Sequence, residues 1–277
     1  MSQLIQFYLN EVILITSPRA GEKGVERRLV ESIKDISENG GHFNFTHAPL
    51  YGGDGFFQFL EDVYYRIEVG LKPLIHIDMH GCERRGLEIG ENGDYIDWQY
   101  VVDALRILNE KLNNQLVVLI TACHGLHAIL PIDFQKSAPF LCLFAPEEEI
   151  TFADIEDKVP QFYSELFSTG SLDSALEKLG AKFALFNCVD FLFKVLAFYI
   201  ERECQGGGGR ERREELLTQI MQTSLGDAPE MIGDYRAFIK DYIKPDQALL
   251  DRFTSRFLMG KASEIKIEDF LAAIDKG

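Results

Sequence analysis

No CxxC pair occurs anywhere in the sequence, and its five cysteines, Cys82, Cys123, Cys142, Cys188 and Cys204, are odd in number and widely spaced. This argues against a disulfide framework or a thiolate zinc knot and fits a reducing, cytoplasmic setting. Long hydrophobic runs are also missing. No stretch reaches the roughly eighteen apolar residues of a membrane span, and the N-terminus has no basic segment leading into an apolar one, so a soluble, unsecreted chain is expected. Positive charge is scarce, with 28 lysines and arginines against 44 aspartates and glutamates and a formal net charge of −16. A nucleic-acid backbone or an anionic bilayer would be repelled by such a surface, so neither is expected as a partner; proteins, peptides and small molecules are.

The 277 residues, 46% of them hydrophobic, suffice for one large domain with an appendage. Apolar runs at residues 12–16, 43–48, 73–80, 116–122, 139–145 and 182–188 read as strands, and helical periodicity fills residues 25–38, 56–69, 97–112, 152–167, 172–179 and 191–203. Between the third strand and the third helix, apolar and polar residues alternate around Asn92-Gly93, a β-hairpin signal. Asp97 is a good N-cap for the helix that follows. Strands alternating with helices imply an α/β fold with a mainly parallel sheet covered on both faces. Four glycines, 206–209, read as a linker between a main domain, residues 1–205, and a helical C-terminal extension, residues 210–277. Arg210-Glu211-Arg212-Arg213, just after them, reads as a hinge or a cleavage site.

Two strands end in unusual polar chemistry. The third runs into His76-Ile77-Asp78-Met79-His80-Gly81 and the fourth, VVLITACHG, into Thr121-Ala122-Cys123-His124-Gly125. Ligands of open parallel sheets gather at the carboxyl ends of strands, and neighbouring strand ends lie about 5–10 Å apart, so His80 and Cys123 are expected to face one crevice. A thiol becomes a good nucleophile as thiolate, and an imidazole accepts its proton and later protonates a leaving amine, which is the chemistry of acyl transfer. Gly81 lets the backbone approach substrate closely, and its N–H and that of Cys123 are candidate oxyanion donors.

These residues resemble the caspase-like cysteine peptidases, the clan of caspases, metacaspases and bacterial CHAT-type proteases. In those, an apolar strand ends in His-Gly and a later one in Ala-Cys-x-Gly, here His80-Gly81 and Ala122-Cys123-His124-Gly125. The resemblance implies a three-layer α/β/α caspase-like domain and a cysteine endopeptidase that cuts a protein partner, as in bacterial antiviral defence or cell death. It implies His80 as general acid and base, Cys123 as nucleophile, Gly81 and Cys123 as the oxyanion hole, and neither metal nor cofactor. Where the caspase signature carries glutamine, Thr121 stands instead, so the preferred P1 residue is open. Arg19, Arg84 and Arg85 are candidates to line a pocket for an acidic P1, and Glu147, Glu148 and Glu149 one for a basic P1.

Two other readings compete. One is a non-catalytic caspase-like scaffold gated by a regulatory protein partner. The other is a metal-dependent hydrolase using His76, Asp78 and His80, which alternate onto one strand face, with His124 or His127. His76 and Asp78 otherwise read as buried polar groups, Asp78 orienting His80, and His124 is expected to point away from Cys123.

Overall fold

The computed structural model describes residues 8–17, 19, 21–39, 43–90, 93–204, 206–223, 231–260 and 266–274. The chain divides into two compact units, residues 1–133 with 137–188, and residues 134–136 with 189–277.

The first unit opens with β1 (Glu11–Thr16), whose six residues are all buried, followed by α1 (Lys23–Asn39), β2 (Asn44–Pro49), α2 (Gly53–Glu68) and β3 (Pro73–Asp78). Three short strands, β4 (His80–Cys82), β5 (Gly86–Ile89) and β6 (Asp94–Ile96), precede α3 (Trp98–Lys111) and β7 (Val117–Ile120). A 3-10 turn (Gly125–Ile129), β8 (Cys142–Pro146), α4 (Phe152–Thr169), α5 (Leu172–Leu179) and β9 (Phe183–Asn187) complete it. The fold is thus α/β, built on a mostly parallel six-stranded sheet in the order β2-β1-β3-β7-β8-β9.

Local chemistry explains the boundaries. Asp97 accepts the Gln99 N–H at 2.8 Å and starts α3 where expected. Thr151 and Asp154 cap the start of α4 reciprocally. The sheet core is a run of β-branched and leucine side chains, Val12 to Ile15, Leu74, Ile75, Ile77 and Val118 to Ile120, all without exposure. Each such side chain contributes about 1.5–3 kcal/mol on burial. Because β1 lies between β2 and β3, the chain leaves β1 to one side and returns to the other. That switch opens a crevice at the carboxyl ends of β1 and β3.

One expectation about the strands needs correction. The third strand stops at Asp78 rather than running to His80. His80 starts β4 of a separate three-stranded antiparallel sheet, β4-β5-β6, in which it pairs with Glu88. The β5–β6 hairpin forms as expected, with Leu87 opposite Ile96, although Asn92 lies outside the described residues. The last strand, β9, runs antiparallel to β8. That is possible because the intervening α4 and α5 return the chain to the carboxyl end of the sheet.

The second unit is helical: α6 (Cys188–Tyr199), a π-turn (Ile200–Cys204), α7 (Gly206–Thr223), α8 (Ile232–Tyr242), α9 (Gln247–Phe257) and α10 (Ile267–Ile274). Leu196, Ile200, Leu249, Leu250, Ile267 and Phe270 form its core. The four glycines do not form a linker here; they are the first turn of α7. A Cβ at Gly208 would lie 1.8 Å from the Arg202 carbonyl oxygen, and one at Gly209 2.8 Å from that of Cys204. The glycines therefore let α7 start against the carbonyls of the π-turn, and the Arg210 to Arg213 motif is helical with them. Gln205 lies outside the described residues. No helix among the described residues is long and apolar enough to cross a membrane.

Candidate functional site

β3 and β7 are parallel neighbours, with Leu74 opposite Val117 and Ile77 opposite Ile120, and the Thr121 N–H extends the ladder to the Ile77 carbonyl at 2.9 Å. The chain beyond each strand therefore leaves the sheet at one edge of the crevice. There His80 and Cys123 line the same cavity, of about 320 Å³, together with Glu22, Glu26, Asp78 and Thr121. The segment around Ile150 and Phe152, at the start of α4, closes another wall.

Gly81 fixes the approach of the two segments. A Cβ on it would sit 2.0 Å from the Cys123 carbonyl oxygen and 3.1 Å from the Ala122 Cβ. This close approach is made to the backbone of Cys123 itself. Directly after Cys123, His124 takes a left-handed conformation, φ 58° and ψ 25°, which turns the chain sharply into the 3-10 turn. His124 faces away from the cavity. Its backbone N–H donates to the Glu148 carbonyl at 3.1 Å, and its Nδ1 lies 3.2 Å from the Glu147 carbonyl. The Cys123 sulfur is held by Ile150, whose N–H points at Sγ from 3.5 Å. Among the described residues the Cys123 N–H meets no acceptor, which leaves it available to a ligand.

The partner of His80 carries no signal in the sequence. Its Nε2 lies 3.0 and 2.9 Å from the two carboxylate oxygens of Glu22, in the turn before α1. The Arg19 N–H donates to the same carboxylate at 3.0 Å. An ionised carboxylate only accepts, so Nε2 carries the proton and Nδ1 is the nitrogen left to take one. In sequence Glu22 is one acidic residue among many in a loop, and only the packing of β1 beside β3 brings it to His80.

Beneath the cavity a directed chain of hydrogen bonds crosses the sheet. Tyr163 donates to His76 Nδ1 at 3.0 Å, His76 Nε2–H to Thr121 Oγ1 at 3.0 Å, and the Thr121 hydroxyl to Asp78 Oδ1 at 2.6 Å. Burial pushes His76 down to about 3, which keeps it neutral, as this chain requires. The Asp78 carboxyl is pushed up to about 6, first by burial and further by Glu26 and Glu22; the Thr121 hydrogen bond and His80 act against this. Asp78 therefore bonds Thr121 and does not orient His80. Glu26 receives the Thr16 hydroxyl and lies 3.3 Å from His47 Nε2.

The expected pocket residues lie elsewhere. Arg19 forks onto Glu88 with contacts of 2.7 and 2.5 Å, and this guanidinium holds the Glu88 carboxyl down at about 2. Arg85 stacks over the Tyr95 ring at 3.9 Å. Neither arginine lines the cavity; nor do Arg84 or Glu147 to Glu149. The proposed metal face is dispersed: His76 is buried within the sheet, His80 sits in the small sheet, and His127 Nδ1 lies 3.2 Å from the Glu83 carbonyl. Among the described residues no three His, Cys, Asp or Glu side chains are grouped to hold a metal ion. No family model and no curated protein matches the chain.

Proposed function

We propose that the chain is a caspase-like cysteine endopeptidase. The observation that carries this reading is that Cys123 and His80, from the segments that follow two adjacent strands, line one cavity, with Gly81 packed on the Cys123 carbonyl. The topology supports the three-layer architecture. With crossovers of the usual right hand, this strand order puts α1 on one face of the sheet and α2 and α3 on the other, and in keeping with that α1 packs on α4 while α2 packs on α3.

In this mechanism His80 Nδ1 takes the Cys123 proton, and the imidazolium is balanced by Glu22. The thiolate attacks the scissile carbonyl, and the N–H groups of Cys123 and Gly81 hold the oxyanion. Collapse of the intermediate breaks the C–N bond as His80 protonates the leaving amine. His80 then removes a proton from water, which attacks the thioester and releases the acid and the thiol. Glu22 acts throughout as a positioning residue for His80.

Thiol labelling tests the reading against a non-catalytic scaffold. Cys82 is the natural competitor, because the Arg85 guanidinium beside it lowers its thiol pKa, whereas burial raises that of Cys204 to about 11. A peptidyl ketone should nevertheless modify Cys123 first and lose that selectivity in His80→Ala. Equal labelling of Cys82 and Cys123, unaffected by His80→Ala, would instead support the scaffold.

A further inference from the structure

Resting on the peptidase reading, we propose that the cavity beside Cys123 is a binding site for a cationic P1 side chain, arginine or lysine, recognised by Asp78 and Glu26. Three carboxylates, Glu22, Glu26 and Asp78, line it, and no lysine or arginine is among its described lining residues. Their roles differ. Glu22 is occupied by His80 and the Arg19 N–H. Glu26 has the Thr16 hydroxyl and the His47 ring, which burial biases toward its neutral form. Asp78 has one donor among the described residues, the Thr121 hydroxyl on Oδ1, and that leaves its second oxygen to the cavity.

A partly buried carboxylate with one neutral donor and two like charges nearby is under-compensated; its pKa of about 6 expresses that deficit, and a cation seated against it removes it. The rest of the cavity fits the remainder of such a side chain. Val25, Ile150, Phe152 and Ile155 supply apolar lining for an alkyl stem, and Asp78 and Glu26, near enough for their charges to interact, face the charged head. An aspartate at P1 would instead meet three carboxylates and no cation, so the same wall rejects acidic substrates.

The test uses the full chain and three peptidyl acyloxymethyl ketones that differ only at P1, carrying arginine, aspartate or norleucine, with adducts located by mass spectrometry. The arginyl reagent should alkylate Cys123 at least about tenfold faster than either other reagent. Asp78→Asn and Glu26→Gln, with folding checked by circular dichroism, should each close much of that gap. Benzamidine, an arginine mimic, should also slow alkylation of Cys123 by iodoacetamide. Fastest alkylation by the aspartyl or norleucyl reagent overturns the pocket and leaves the peptidase standing. An arginyl preference untouched in both variants overturns the assignment to Asp78 and Glu26. No adduct at Cys123 from any ketone, with benzamidine still protective, overturns the peptidase reading and supports the cation site. Absence of both effects overturns both.

Discussion

Replacing Gly81 by alanine tests how the two strand ends are held together. The added Cβ would lie 2.0 Å from the Cys123 carbonyl oxygen and 3.1 Å from the carbonyl carbon. Both atoms are backbone, so no rotamer change relieves the overlap; β4 or the Cys123 turn must move by about 1 Å, as in an overpacked core. Overpacking of this kind costs about 1–3 kcal/mol, which for a unit of this size lowers the melting temperature by about 2–12 °C. A misplacement of about 1 Å between reacting groups costs on the order of a hundredfold in rate. Urea unfolding followed by circular dichroism reads the first effect, and the rate of Cys123 alkylation by a peptidyl ketone the second. Gly24→Ala in the first turn of α1 is the control, since a Cβ there meets nothing within 4 Å and alanine favours the helix, so stability should hold or rise. Wild-type stability together with wild-type alkylation in Gly81→Ala would refute the packing argument.

Other outcomes follow from the same geometry. Glu22→Gln should lower kcat by about 10- to 100-fold with KM nearly unchanged, and Glu22→Asp should restore part of it; equal losses in kcat and KM would remove Glu22 from a positioning role. Thr121→Val leaves His76 and Asp78 without their shared hydroxyl and should cost about 1–3 kcal/mol in denaturant unfolding, whereas Thr121→Ser should stay near wild type. The Asp78 carboxyl, faced by Glu22, Glu26 and His80, titrates near 6 in the fold against an ordinary 3.8. Between those values the native state holds a proton that the unfolded state has released, so this group's contribution to stability falls as pH rises. Asp78→Asn should therefore match wild type near pH 4 and exceed it by on the order of 2 kcal/mol at pH 7; a pH-independent difference would contradict this. His76, depressed to about 3, acts in the opposite direction, withdrawing stability as pH falls below about 6.5, so the variant's stability should rise with pH more steeply than the wild type's. Because residues 210–213 lie within α7, native protein should stay intact there on incubation, and fragments ending at Arg210, Arg212 or Arg213 without prior unfolding would count against the helix.

Much of the sheet was legible because its strands are short apolar runs bounded by turn chemistry, such as Val12 to Thr16, and because the Asp97 cap acts locally. That His80 and Cys123 line one crevice was legible for a related reason: polar residues stand out just beyond a buried strand. What failed depended on distant neighbours. Gly208 and Gly209 have the composition of a linker, and only the carbonyls of Arg202 and Cys204 explain why they start a helix. The direction of β9, antiparallel within the mainly parallel sheet that was expected, is a detail its apolar run does not carry, since the run fits either direction. Glu22 and Asp78 reach the cavity only through strands and loops brought together at the β1–β3 switch. Conversely, Arg19 reads as a pocket residue in sequence, and its fork onto Glu88 engages it away from the cavity.

Whether Cys123 is a nucleophile driven by His80 is most directly tested by cleavage of a peptide library varied at P1, with wild type, Cys123→Ala and His80→Ala run side by side. The wild type should cut, with cuts concentrated after arginine and lysine, and neither variant should cut above background. Cleavage that persists in Cys123→Ala would contradict that role for Cys123.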